Sequence, residues 1–144
     1  MFERIAIATD GSDSVSRAVD VALNLAERFD AEVHALSIVD ASEVESSPEA
    51  IRDDLREALS TQAADALESV RDRAGERVTT AVREGRPAAE ITAYARENDI
   101  DVVATGTRGR HGENRFLIGS VAERVVRTCP VPVLTVRQLS EAEQ

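Results

Sequence analysis

The sequence predicts an α/β fold, a single doubly wound domain in which a parallel five-stranded sheet carries helices on both faces. Three observations predict it. Short apolar runs of strand length alternate with stretches whose apolar residues recur at helical spacing. The alternation ends on a strand and is broken by no linker and no repeat, the pattern of a parallel sheet covered on both sides. The chain has 144 residues and is 42% hydrophobic, enough for one domain with one core.

The elements follow in order. Glu3–Thr9 (ERIAIAT) reads as the first strand, closed by the turn-forming Asp10-Gly11-Ser12. Val15, Ala18, Val19, Ala22, Leu25, Ala26 and Phe29 mark the next helix, with Ser12 or Ser14 as its cap. Glu32–Val39 is a second strand, and the polar segment DASEVESS reads as a loop leading to Pro48 in the first turn of a long helix. That helix keeps Ile51, Leu55, Leu59, Ala63, Ala66, Leu67 and Val70 on one face as far as Gly75. Val78–Glu84 is the third strand, ended by Gly85, and Pro87 opens a helix with Ala88, Ile91 and Ala95. Asp101–Thr105 is the fourth strand, Val121–Cys129 the last helix, and Pro130–Val136 the last strand, whose prolines suit a sheet edge. The domain is expected to span residues 1–138, with a polar tail over 139–144.

Composition narrows the function. The formal net charge is −10, all 17 basic residues are arginine, and the acidic residues are spread over every helix. Such a surface favours solubility, fits a high-salt environment, and opposes binding to nucleic acid, which needs clustered cations. No stretch is long and apolar enough to span a membrane, the N-terminus has no leader pattern, and the single cysteine, Cys129, allows no internal disulfide. A cytoplasmic protein is expected. His34 falls mid-strand, where a packed or edge residue is expected, and His111 lies in a polar loop. No Cys/His cluster has metal-ligand spacing, and no general base stands near the Asp10-Ser12 turn.

Glycine is scarce but concentrated. Four of the 7 glycines fall within Gly106–Ser120, GTRGRHGENRFLIGS, between the fourth strand and the last helix. In an open parallel sheet, ligands bind beyond the carboxyl ends of the strands, where the strand order reverses. Glycine permits positive φ and a close backbone approach, and the helix entered at Gly119-Ser120 offers free N–H groups to an anion. Phosphate is the natural candidate. A P-loop is excluded by the absence of lysine, and the dinucleotide fingerprint by DGSDS after the first strand. Residues 106 to 128 carry five arginines (Arg108, Arg110, Arg115, Arg124, Arg127) against Glu113 and Glu123, a net of 5 − 2 = +3 on an acidic protein.

The spacing Gly106-x2-Gly109-x9-Gly119-Ser120 resembles the ATP-binding signature of the universal stress proteins, and the resemblance extends to IAIATDGSDSVSRAV at the start and PVPVLTV at the end. It implies a strand order of 3-2-1-4-5. It also implies a nucleotide site in which Ala8, Thr9 and Asp10 line the ribose and adenine side. Ile38 packs on the adenine or hydrogen-bonds it through its main chain, Thr105 and Gly106 flank the ribose, and Gly109, Gly119, Ser120 and Val121 surround the phosphates. The implied ligand is ATP with Mg or Mn held through its phosphates. The implied role is regulatory or protective, with slow or no hydrolysis, in a homodimer formed through Val131–Val136. Glu113, where many members are apolar, and Ala122, which lacks a hydroxyl, depart from the family pattern. The alternative is an ATP-dependent enzyme of the same superfamily, a pyrophosphatase, ligase or ATPase, since DGSDS partly resembles the phosphate loop of ATP pyrophosphatases.

Overall fold

A computed structural model describes residues 2–108 and 118–140. Five parallel strands form one sheet in the order β3-β2-β1-β4-β5. They are β1 (Arg4–Ala8), β2 (Glu32–Asp40), β3 (Val78–Gly85), β4 (Val102–Gly106) and β5 (Val133–Val136). The helices are α1 (Ser16–Phe29), α2 (Ala41–Glu45), α3 (Arg52–Ala74), α4 (Pro87–Glu97) and α5 (Ser120–Thr128). Short 3-10 turns at Asp13–Val15 and Glu49–Ile51 lead into α1 and α3.

Two-residue periodicity divides the core. Ile5, Ile7, Val33, Ala35, Val102 and Ala104 face α1 and α3. The intervening Ala6, Leu36 and Val103 face α4 and α5, where Ile91, Tyr94, Ala95 and Val125 meet them. Strands buried on both faces explain why β1 and β4 read as continuous apolar runs. Registers Ile5↔Val33 and Ile5↔Val102 align the three inner strands; β1 and β4 finish close together, while β2 runs on past Leu36, the partner of Ala8, to Asp40. Asp101 locks the opposite end, its Oδ2 accepting from the Glu3 and Arg4 amides at 2.8 and 2.9 Å.

Several expectations need correction. DASEVESS contains a helix: Asp40 caps α2, its Oδ1 accepting from Ser42 N at 3.0 Å. The serines before α1 do not cap it; a 3-10 turn intervenes, and the Ser12 side chain makes no capping bond. Pro48 precedes a 3-10 turn, with α3 beginning at Arg52. Strand β5 starts at Val133, beyond both prolines, and does occupy an edge. His34 is packed within β2, an inner strand, and is 8% exposed. His111 and Glu113 lie outside the described residues.

Candidate functional site

Strands β2 and β4 flank β1, so chain order reverses between β1 and β4, and a crevice opens above their carboxyl ends. It is a cavity of about 430 Å³. Its floor is Ala8, Thr9 and Asp10 beyond β1, Ile38 and neighbouring residues of β2, and Thr105 and Gly106 of β4. Gly119, Ser120 and Val121 at the start of α5 form one wall. Nine of the ten expected site residues therefore line one space; the tenth, Gly109, lies outside the described residues.

Local chemistry holds the floor. Thr9 N donates to Leu36 O at 2.9 Å, continuing the β1–β2 ladder one step past the strand. Thr9 Oγ1 accepts from Gly11 N at 3.1 Å, and Asp10 Oδ1 accepts from Ser12 N at 2.9 Å. These side-chain turns reverse the chain tightly. Gly11 has φ +77°, and a Cβ there would stand 3.0 Å from Ala66 Cβ of α3. The turn thus needs glycine for conformation and for space.

The two described glycines of the signature act differently. Neither Gly106 nor Gly119 has positive φ. A Cβ on Gly106 would lie 2.9 Å from Val15 Cγ1 and 3.2 Å from the carbonyl oxygens of Ser14 and Arg108; one on Gly119 would lie 3.1 Å from Thr107 O. Close packing against the protein, rather than backbone conformation, favours glycine at both, more tightly at Gly106 than at Gly119.

Gly119 N donates to Thr107 O at 2.5 Å, and Gly119 is the N-cap residue of α5 without a side-chain cap. The first intrahelical bond is Glu123 N to Gly119 O. The Ser120, Val121 and Ala122 amides ahead of it have no acceptor in the helix and supply the donors an anion needs.

The model of the universal stress protein family matches residues 1–137. The chain belongs to the universal stress protein family. A universal stress protein of Methanocaldococcus jannaschii is 39% identical over 142 residues, covering 96% of this chain and 84% of that protein. Among solved structures, the universal stress protein UspA of Lactobacillus plantarum is 29% identical with a TM-score of 0.80, covering 94% of this chain and 98% of that one. A universal stress protein in complex with cAMP shares the fold at 22% identity and TM-score 0.69, covering 95% of this chain and 98% of that one. So does the universal stress protein from Archaeoglobus fulgidus in complex with dAMP, at 22% and 0.66, covering 95% and 100%.

In this universal stress protein the cavity also has walls that the sequence reading missed. Asp40 comes from the end of β2, where it caps α2, Glu43 from α2, Leu59 and Ala63 from α3, Pro87 and Ile91 from α4, and Arg108 from the segment after β4. The α2 contribution had a signal: Asp40 followed three residues later by Glu43 has the spacing of a capping box. Leu59 and Ala63 were legible as an apolar helix face, but not as the lining of a cavity. Among the described residues no group of three or more His, Cys, Asp or Glu side chains is placed to hold a metal ion. No helix among them is long and apolar enough to cross a membrane.

Proposed function

We propose that the cavity binds ATP and that this universal stress protein is a regulatory or protective binding module that hydrolyses ATP slowly or not at all. The observation that carries this reading is the meeting of uncapped amides at the start of α5 with a largely apolar recess at the ends of β1 and β2. The first suits phosphates and the second a base. Adenine rests against Ile38 and the backbone of Ala8 and Thr9; Asp10 takes the ribose side. Thr105 and Gly106 flank the sugar. Gly109, Gly119, Ser120 and Val121 surround the phosphates, Gly119 by leaving room, since its own N–H is committed to Thr107. Magnesium or manganese, in this reading, reaches the site bound to the phosphates.

Two proteins of this fold in complex with cAMP and dAMP support adenine nucleotides as the ligand class. The proposal further holds that the protein is a cytoplasmic homodimer, formed by symmetric addition across the β5 edge over Val131–Val136. A free edge strand otherwise invites uncontrolled pairing. It also holds that the lysine-free surface, with 27 acidic residues, is an adaptation to high salt. Calorimetric titration with Mg-ATP tests the central reading. The wild-type chain should bind about one equivalent, and Gly119→Val, which drives a side chain into Thr107 O, should bind at least about tenfold more weakly. Unchanged affinity in the variant would remove the assignment of the phosphate end.

A further inference from the structure

Arginines on this acidic surface commonly meet carboxylates, as Arg56 meets Glu84 at 2.8 Å and Arg73 meets Asp20 at 2.9 Å. Arg108 does not. Its Nε is buried without a hydrogen-bond partner, and the residue lines the cavity. A buried guanidinium N–H left without an acceptor is costly, and guanidinium matches phosphate geometry. Three carboxylate residues, Asp10, Asp40 and Glu43, line the same cavity. Arg108 thus shares the cavity with three carboxylate residues and has a donor unused among the described residues, a combination that suits an anionic ligand.

The backbone around Arg108 carries the argument further. A Cβ on Gly106 would stand 3.2 Å from Arg108 O, and one on Gly119 would stand 3.5 Å from Arg108 Cα and 3.1 Å from Thr107 O. The hydrogen bond from Gly119 N to Thr107 O fastens the same dipeptide. Gly119 therefore leaves room for the segment that carries Arg108, whereas Gly106 is hemmed in first by Val15 Cγ1 at 2.9 Å.

We propose that Arg108 gives the cavity its preference for a phosphorylated nucleoside over a neutral one, and that Gly119 serves the ligand largely by seating Arg108. This rests on the nucleotide reading above and names the residue that makes the site select charge. The three carboxylates repel phosphate, so the ligand enters with its phosphates towards Arg108 and α5 and its base towards β2.

The test is competition against a fluorescent ATP analogue, with ATP and adenosine as competitors, on the wild-type protein and on Arg108→Met, Arg108→Lys, Gly119→Ala and the Arg108→Met/Gly119→Ala double variant. Thermal melting serves as the folding control. Arg108→Met should weaken ATP by about tenfold or more, the range for a charge-assisted hydrogen bond, and leave adenosine within about twofold. Arg108→Lys, which keeps the charge, should retain part of the ATP preference, and it carries the test should the Met variant melt early. Gly119→Ala should also weaken ATP selectively, and the double variant should lose less than the product of the two single losses, because both act on one contact.

Equal losses for ATP and adenosine would make Arg108 merely structural, and an unaltered ATP affinity would overturn the proposal while leaving the nucleotide site standing. Multiplicative losses in the double variant would detach Gly119 from Arg108. A wild-type protein that binds neither the analogue nor ATP would remove the nucleotide reading itself, and this inference with it.

Discussion

At the scale of single residues, the glycines show how far sequence reasoning reaches. Their concentration between β4 and α5 marks the candidate site, but of the two properties expected of glycine there, positive φ and close approach, positive φ is absent at Gly106 and Gly119. What requires glycine at Gly106 is Val15 Cγ1 at 2.9 Å from the place a Cβ would take, a contact 91 residues distant in sequence and invisible to local pattern. Gly106→Ala should therefore lower folding stability by about 1–3 kcal/mol through overpacking, measured by denaturant titration. His34 offers a second case. The strand pattern allows a packed or an edge position, and the structure shows the packed one; its partner, Tyr94 Oη at 2.7 Å from Nδ1, lies on α4. Burial lowers the His34 pKa below 6.5, opposed by Glu32 at 3.8 Å from Nε2 and reinforced by Arg4. The Arg83 guanidinium stands 4.9 Å over the Tyr94 ring and adds further positive charge nearby. A depressed folded pKa means that the unfolded chain binds this proton more tightly. The His34 contribution is thus complete above about pH 6.5 and is lost as pH falls from there through the lower folded value. His34→Gln should flatten the stability profile across that window, and an unchanged slope would show that other groups set it.

At the scale of elements, the strands and long helices were legible because burial on one or both faces leaves a periodic trace. The short element was not. Helix α2 has five residues, too few for a period to appear, and only its Asp40 cap announces it. Asp40 Oδ1 accepts from both Ser42 N at 3.0 Å and Ser42 Oγ at 2.7 Å. Asp40→Ala should cost about 1 kcal/mol of stability, the usual effect of losing a cap, and should speed amide exchange at Ser42. Protection at Ser42 equal to that of the wild type would mean that packing of Val44, which is 1% exposed, holds α2 without its cap. The termini of β5 and α1 shifted for a related reason. Prolines and serines signal that a boundary is near, while the hydrogen-bond ladder decides where it falls.

At the scale of the whole molecule, the order β3-β2-β1-β4-β5 alone places the crevice between β1 and β4. The strand alternation was readable as a parallel sheet; the order came from resemblance to relatives, since nothing local encodes which strands are neighbours. Net charge acts at this scale too. With −10 spread over the surface, self-repulsion opposes the compact state, and added salt screens it. The melting temperature should rise as KCl is raised from about 0.1 M to about 1 M, over which the Debye length falls from ~10 to ~3 Å. A flat or falling curve would separate the acidic surface from salt adaptation. The central claim, that the crevice is an adenine nucleotide site, is tested most directly by what the protein carries. The chain should be purified in high salt and denatured, and any released small molecule identified by chromatography and mass spectrometry. ATP at about one per chain is the predicted result. A protein that releases no nucleotide and takes up no added Mg-ATP would contradict it.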